Sequence, residues 1–338
     1  MKDKAILVAI LTLFLVGLPL ISAADPVEHP AKRQSRTDVS SAVSDRAGDG
    51  EIVFHVFNVK TGEAMELEGR DYIIHVVAAE MPASFSEEAL KAQAVAAFTY
   101  AVYRKSNGAD GAHEGCELCT DSTHCKAYAS DDYLRSLWGE NFDTFYRKIA
   151  DAVDAVYGEY LTYENEPIAA VFHSVSSGVT EAAVDVWGHH YPYLVSVDSS
   201  LDKTLKGYET TVTVTEKEFR SAMKTYSGAC DFSDDPSAWI GKPERTTAGS
   251  VLTVSVGGVP VTGAKMRSLF DLRSANFTVS YKDGAFTFTV HGYGHGVGMS
   301  QYGANLMAKE GATYDEILHH YYTDVVLEPS EKGLKNYS

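Results

Sequence analysis

The sequence predicts an α+β protein, with helical segments at both ends of the folded part and a strand-rich stretch between them. Apolar side chains recur at helical spacing in the first part of this region and again near its end. Between them, residues 208–290 alternate apolar and polar side chains, as short strands do. Helices and strands segregated along a chain are typical of the α+β class.

Bulk composition indicates a globular protein. The chain has 338 residues, 45% of them hydrophobic and 22% charged, which is enough for one or two domains with a real core. The formal net charge of −17 repels phosphate backbones, and no Lys/Arg-rich stretch is present. Nucleic acid is therefore excluded as a partner.

The N-terminus carries an export signal that has two interpretations. Residues 5–21 form an apolar run behind two lysines, long enough for a helix across roughly 30 Å of hydrocarbon. The small residues 22–24 also fit a signal-peptidase site, but the run exceeds the usual signal core of about 7–15 residues. An uncleaved anchor over residues 1–24 is favoured, followed by a flexible polar tether over 25–50. Either interpretation exports the rest of the chain. With the favoured anchor, we expect a single-pass protein of the cell membrane whose folded part is extracytoplasmic.

The folded part is expected to start with a hairpin over residues 51–77. The apolar segment 72–81 is closed by Pro82, which prevents a helix from running straight on. Ser84 and Glu87 have the spacing of a capping box, and a buried helix is expected over 89–104. Glu80 would then lie at the break between two apolar helices.

The remaining elements follow from periodicity and turn residues. We expect a helix over 131–157, a strand over 168–172, and two amphipathic helices beginning near Ser300 and Tyr314. Within the strand-rich stretch, the clearest elements are strands over 210–214, 251–256 and 286–290 and a helix over 216–224.

Glu80 is the candidate for acid–base chemistry because nearly all its neighbours in sequence are apolar. Desolvation penalises a carboxylate and raises its pKa, as a general acid working near neutral pH requires. The alternative is a solvated glutamate at a helix end, which is the commoner situation for this residue type.

A cluster of Cys and His residues predicts a metal site. Five soft or borderline ligands fall within thirteen residues, namely His113, Cys116, Cys119, His124 and Cys125. Zinc takes four in a closed structural site, so one is surplus, and such a site leaves no position to activate water. A disulfide is the alternative in an exported protein, but the clustering favours zinc.

Two further segments carry polar residues without a complete catalytic motif. Adjacent His173 and Ser174 would point to opposite faces of a strand, and no Gly-x-Ser-x-Gly elbow exists, so a serine nucleophile is disfavoured. A polar binding wall or a hydrogen-bonded turn remains. In residues 292–298, glycines alternate around His295 and permit close backbone approach, but the lysine of a phosphate-binding loop is absent.

Several segments together resemble the stage II sporulation protein D family, in order from about residue 52 to 327. The matching segments are residues 72–82 with 88–97, 173–181, 187–188 with 192–194, 273–277, 292–304 and 317–322. The resemblance implies a lytic transglycosylase that cuts peptidoglycan between N-acetylmuramic acid and N-acetylglucosamine without adding water, with its catalytic acid at Glu80.

The resemblance also implies cofactor, partners and setting. One structural zinc ion would be held by His113, Cys119, His124 and Cys125, leaving Cys116 free. The substrate would be glycan strands stripped of stem peptides, cut during engulfment of the forespore. The expected collaborators are a peptidoglycan amidase and a multi-pass membrane protein of the same process.

A glycan cleft is expected between two lobes. The catalytic lobe would comprise residues 51–204, with the zinc loop 113–125, and the C-terminal helices of 291–327, while 205–290 would form the strand-rich second lobe. The candidates for holding the glycan are Lys91, Gln93, His173, Ser174, Ser177, Tyr193, Arg273, Ser274, His295 and Gln301.

One carboxyl group suffices for this chemistry, whereas a hydrolytic glycosidase normally needs two. Glu80 would protonate the leaving oxygen, the muramyl 6-hydroxyl would attack in place of water, and Glu80 would take its proton. The alternatives are a two-carboxylate muramidase, a metal-dependent amidase, or a glycan-binding subunit without turnover.

Overall fold

A computed structural model describes residues 52–108 and 115–337. The anchor predicted over 1–24 and the tether predicted over 25–50 lie outside these ranges. Within the described ranges, no helix combines the length and apolarity needed to cross a membrane.

Helices and strands alternate in groups along the chain. The helices are α1 Gly69–Glu80, α2 Glu87–Asn107, α3 Asp131–Trp138, α4 Phe142–Asp154, α5 Ala183–Trp187, α6 Glu216–Tyr226, α7 Gly263–Leu269, α8 Gln301–Lys309, α9 Tyr314–Tyr321 and α10 Ser330–Tyr337. The strands are β1 Val53–Asn58, β2 Glu63–Glu68, β3 Leu118–Cys119, β4 Tyr160–Tyr163, β5 Glu166–Pro167, β6 Phe172–His173, β7 Glu209–Thr215, β8 Glu244–Arg245, β9 Val251–Val256, β10 Val259–Thr262, β11 Phe277–Lys282, β12 Ala285–His291, β13 Met299–Ser300 and β14 Val326–Glu328.

The strands form several small sheets rather than one large one. Their orders are β2-β1-β3, β14-β4-β5, β10-β9-β8, β11-β12-β7 and the parallel pair β13-β6. The predicted α+β class is confirmed, and so is the predicted N-terminal hairpin, whose strands β1 and β2 pair antiparallel.

Helix α2 is the centre of the first hydrophobic core. Its many alanines are fully buried and let neighbouring helices approach closely, so that α1, α4, α8 and α9 all pack against it. This arrangement brings the end of α1, near residue 80, and the start of α8, near residue 301, against the same central helix.

A second core is built mainly from aromatic rings and lies in the strand-rich stretch. Phe219 of α6 stacks on Phe286 with ring centroids 4.2 Å apart and on Phe270 at 5.0 Å. Alternate residues of β12, Phe286, Phe288 and Val290, are buried as the predicted period-two pattern requires. The lobe boundaries at 205 and 290 stay predictions.

The expected capping box at Ser84 is wrong. Helix α2 begins at Glu87, its N-cap is Ser86, and no side chain caps it. The turn after Pro82 fixes this start, since Phe85 N–H donates to the Pro82 carbonyl oxygen. The N–H of Ser86 instead donates to Oδ1 of Asn305, 2.9 Å away, which ties the turn to α8.

Two other expected elements differ from the structure. The helix expected over 131–157 is two helices, because Gly139 takes a φ of +52° and breaks the chain between α3 and α4. The strand expected over 168–172 is also wrong, since only Phe172 and His173 pair, in β6. Before them, the N–H of Ala170 turns back to the carbonyl of Ile168, so these residues take no part in a ladder.

Candidate active site around Glu80

Glu80 is the last residue of α1, where Pro82 prevents the helix from continuing. Its side chain is half-buried at the end of an apolar helix whose residues Val76, Val77 and Ala78 are buried in the first core. Oε1 of Glu80 accepts a hydrogen bond from the N–H of Ala127 at 2.9 Å. The carboxyl group is thus fixed at the core surface by a backbone donor from another loop.

Two glutamines from distant parts of the chain complete this environment. Gln301 opens α8, and its side chain lies close enough to Glu80 to favour the carboxylate. Its Nε2 also donates to Oε1 of Gln93, at 3.3 Å, on the central helix α2. Both glutamines are buried, and Gln93 is linked to Glu80 through Gln301. The structure therefore brings together Glu80, Gln93 and Gln301.

Burial raises the pKa of Glu80, and this effect outweighs three opposing ones. The charge of Lys126, the N–H of Ala127 and the side chain of Gln301 each favour the carboxylate and lower the pKa. The group thus keeps its proton to higher pH than an ordinary glutamate, yet has donors ready for its ionised form. This combination suits a residue that first donates a proton and then takes one back.

Lys126 is a charged neighbour of Glu80 that sequence reasoning missed. It is 6% exposed, and its Nζ lies 4.2 Å from the ring centroid of Tyr100 and 3.8 Å from that of Phe172. Burial lowers the pKa of this lysine to about 8. The sequence signal was its place directly after a candidate zinc ligand, Cys125, which fixes where its backbone lies.

The candidate metal residues converge just before this lysine. Nδ1 of His124 lies 3.7 Å from Sγ of Cys119 and 3.3 Å from Sγ of Cys125, and all three ligand atoms lie within 4.8 Å of one another. Hydrogen bonds from Cys119 and His124 lower the pKa of the Cys125 thiol, which favours the thiolate that metals bind.

Two sulfur atoms and one imidazole nitrogen form a donor set that fits zinc. The fourth predicted ligand, His113, lies outside the described residues. Cys116 is buried but does not belong to the converging group found within the described ranges. Zinc at this site stays a prediction.

The glycine-rich loop 292–298 contains His295 and contacts His173. The N–H of Val297 donates to Nδ1 of His295, and the carbonyl of Val297 lies 3.1 Å from Nδ1 of His173. Burial lowers the pKa of His173 to about 4 and that of His295 well below its ordinary value. Neither therefore carries a positive charge near neutral pH.

The ring of His295 also contacts Trp187, which lies in one of the segments that resemble the family but was not among the predicted site residues. The two ring centroids are 5.3 Å apart, and Trp187 is 39% exposed at the end of α5. An exposed indole beside the candidate site offers an apolar face of the kind that sugar rings stack on.

Asp202 connects the loop segments around the site. It is fully buried, and its Oδ2 accepts from the Ser176 N–H at 2.7 Å, the Ser300 hydroxyl at 2.7 Å and the Ser199 hydroxyl at 3.2 Å. Because Ser300 is also the N-cap of α8, Asp202 helps to set the position of Gln301.

The other predicted glycan-holding residues are not brought to Glu80 by any described contact. Lys91 pairs with Glu87 and Glu88. Tyr193 is buried and accepts from the Ala169 N–H. Four more lie in loops near the glycine-rich segment or the second core, namely Ser174, Ser177, Arg273 and Ser274.

Comparison with known proteins identifies the family. The family model described as stage II sporulation protein matches residues 58–163. The chain is 35% identical to stage II sporulation protein D of Bacillus subtilis (strain 168), over 100% of the chain and 99% of the relative. It is 39% identical to the protein of that name from Bacillus amyloliquefaciens, over 79% of the chain and 76% of the relative.

A more distant relative bears a different name. The amidase enhancer of Bacillus subtilis (strain 168) is 28% identical over 75% of this chain and 39% of its own length. The match to stage II sporulation protein D over essentially the whole of both chains is decisive. The chain therefore belongs to the stage II sporulation protein D family, a family of sporulation proteins.

Proposed function

We propose that this protein is a peptidoglycan lytic transglycosylase with Glu80 as its single catalytic acid and base. The observation that supports it best is the setting of that carboxyl group. Burial favours its protonated form, while Ala127 and Gln301 supply donors that stabilise its carboxylate. A group poised between both forms can serve both halves of the reaction.

In the first half, Glu80 gives its proton to the glycosidic oxygen between N-acetylmuramic acid and N-acetylglucosamine as the bond from that oxygen to the muramyl anomeric carbon breaks. In the second half, the muramyl 6-hydroxyl oxygen bonds to the same carbon, and its proton returns to Glu80. No water is consumed, and the product is a 1,6-anhydro-muramyl end. Between the two halves, the hydrogen bond from Ala127 and the nearby amide of Gln301 stabilise the carboxylate.

The zinc proposed at Cys119, His124 and Cys125, with His113, would have a structural role. A closed four-ligand site cross-links a loop and leaves no place for reacting water. Residues 126 and 127 follow the last ligand directly, so fixing the loop fixes the N–H that meets Glu80. Chemistry is then carried by the side chains alone.

The biological setting is proposed from the family and its relatives. Sporulation, and engulfment within it, would require glycan cleavage outside the membrane, which fits an N-terminal anchor over residues 1–24. The relative named amidase enhancer points to cooperation with a peptidoglycan amidase. Such an amidase would produce the peptide-free strands proposed as substrate, and the multi-pass membrane partner belongs to the same proposal.

The test is mass spectrometry of products from peptide-free glycan strands. Wild type should release fragments ending in anhydro-muramic acid, each one water lighter than a hydrolytic product. Glu80→Gln should release none above background while still binding the strands. Reducing muramyl ends would instead identify a muramidase, and release of peptides from intact peptidoglycan, abolished by chelation, an amidase. Unchanged function in Glu80→Gln would indicate a non-catalytic glycan-binding subunit.

A further inference from the structure

Lys126 stands out in the structure because a buried lysine normally has an ionic partner. Among the described residues, its ammonium makes no ion pair within 4.0 Å and no hydrogen bond, although Lys126 is only 6% exposed. Its Nζ lies 4.2 Å from the ring centroid of Tyr100 and 3.8 Å from that of Phe172. Ring faces attract a cation, but they do not accept its N–H donors as a carboxylate would.

Lys126 is placed beside the candidate acid by its backbone. The N–H of the next residue, Ala127, donates to Oε1 of Glu80 at 2.9 Å. In the function proposed above, Glu80 is protonated when the glycan arrives and offers Lys126 no carboxylate. An anion on the substrate would give the ammonium an acceptor that the described residues do not provide.

The proposed substrate contains one suitable anion. N-acetylmuramic acid bears a lactyl group whose carboxylate is free once the stem peptide has been removed, and is a neutral amide while the peptide is attached. N-acetylglucosamine has no such group. A carboxylate beside the bond to be broken would pair with Lys126, and the short charge-assisted hydrogen bond between them would form only with peptide-free muramic acid.

We propose that Lys126 is a substrate-contacting residue that binds the free lactyl carboxylate of N-acetylmuramic acid and so selects peptide-free glycan. This inference rests on the proposed transglycosylase function and names the residue that would give it specificity. The rings of Tyr100 and Phe172 hold the lysine stem in place, and its backbone follows Cys125. The ammonium is thereby preorganised rather than ordered on binding, which reduces the entropic cost of recognition.

The experiment compares two substrates that differ in this group alone. One is a set of peptide-free glycan strands; the other is the same strands with the lactyl carboxylates converted to methyl amides. The proteins are wild type, Lys126→Met, Lys126→Arg and the surface control Lys282→Met, which changes a lysine that is largely exposed on β11. The value of kcat/KM is measured from anhydro-muramyl ends.

Wild type and Lys282→Met should prefer the free-acid strands by about 10- to 100-fold, the range expected for one charged hydrogen bond. Lys126→Met should cleave both strands at the same low rate, and Lys126→Arg should keep a preference of the same direction. Equal cleavage of both strands by wild type, or a preference retained in Lys126→Met, would overturn the inference. Absence of anhydro ends from either strand with wild type would instead overturn the proposed function.

A binding measurement covers the case in which Lys126→Met does not fold. Glu80→Gln, which imitates the protonated acid, is titrated with N-acetylmuramic acid and with its methyl amide by calorimetry. Tighter binding of the free acid by about 10-fold or more supports the inference. Equal affinity contradicts it, and this measurement needs neither turnover nor a lysine variant.

Discussion

The backbone N–H of Ala127 lies 2.9 Å from Oε1 of Glu80. Ala127 follows Cys125 in the chain by two residues. The candidate acid and the candidate metal loop are therefore linked through one short stretch of backbone. Any change in the loop conformation moves a donor that stabilises the Glu80 carboxylate. The loop is thus expected to control chemistry without taking part in it.

Metal removal should test this link. Chelation is expected to lower both the melting temperature and cleavage, the latter by about 10- to 100-fold, the usual effect of losing one hydrogen bond to a charged group. Added zinc should restore both. The check is metal analysis with a parallel activity assay on Cys125→Ser and on Cys230→Ser, a buried cysteine of the second core. Full activity in metal-free protein, or equal zinc loss in both variants, would contradict the link.

Glu80→Gln should stabilise the protein at neutral pH. Because the folded state raises the pKa of Glu80 above its ordinary value of 4.5, its contribution to stability is complete below that pH and is lost as pH rises through the folded pKa. Glutamine imitates the protonated form, so the two proteins should melt together in acid and diverge as pH rises. Melting curves from pH 4 to 8 are the measurement, with Glu140→Gln, at an exposed site, as control.

The opposite ordering at neutral pH, with Glu80→Gln melting below wild type, would show that Glu80 is not destabilised by burial. Equal divergence in Glu140→Gln would show that the effect is a general one of net charge.

Gln301→Leu should change the pH dependence of cleavage. The side chain of Gln301 lowers the pKa of Glu80, so removing its amide should raise that pKa further. Since the acid must be protonated, cleavage falls as pH rises above this value, and the alkaline limb of the kcat/KM profile should move to higher pH. The maximal rate should fall about 10-fold because the carboxylate loses a donor. Gln93→Leu, one contact further from Glu80, should move the limb less, and an unmoved limb in Gln301→Leu would exclude this role.

Asp202→Ala should destabilise the protein by about 2–4 kcal/mol, because it leaves the donors of Ser176, Ser199 and Ser300 buried without their acceptor. Urea unfolding measures this cost. Asp198→Ala is the control, since that aspartate is exposed and accepts from Ser200 on the surface, and it should cost no more than about 0.5 kcal/mol. Similar costs for both variants would show that the buried carboxylate does not organise these segments.

Much of the fold could be predicted from local pattern. Patterns in consecutive residues were enough to predict three features, namely the Ala-rich helix α2, the alternation in β12 and the break at Pro82. The wrong capping box depended on distant partners. Ser84 does not cap the helix because other residues hold the turn. Asn305 accepts from the N–H of Ser86, and Lys148 donates to the carbonyls of Ala83 and Phe85.

Site residues could be predicted where the residue type itself indicates the chemistry. They could not be predicted where the role depends on contacts with residues distant in sequence. An acid in apolar sequence indicated Glu80, and soft ligands at short spacing indicated Cys119 and Cys125. Lys126 could be placed beside Cys125 from sequence, but its burial could not be predicted, because Phe172, which packs against it, comes much later in the chain. Gln301 could be associated with the site only through the family resemblance, since its role is set by packing on α2.

The acid and its side-chain donor stand near opposite ends of the folded sequence, since Glu80 closes the first helix and Gln301 opens a helix close to the C-terminus. During synthesis from the N-terminus, Glu80 is made early and Gln301 is made near the end of the chain. Fragments that stop before residue 301 should hold the carboxyl group without its second hydrogen bond. Under the proposed function, incomplete or clipped chains would lack the Gln301 amide, so cleavage of peptidoglycan should require the complete folded chain.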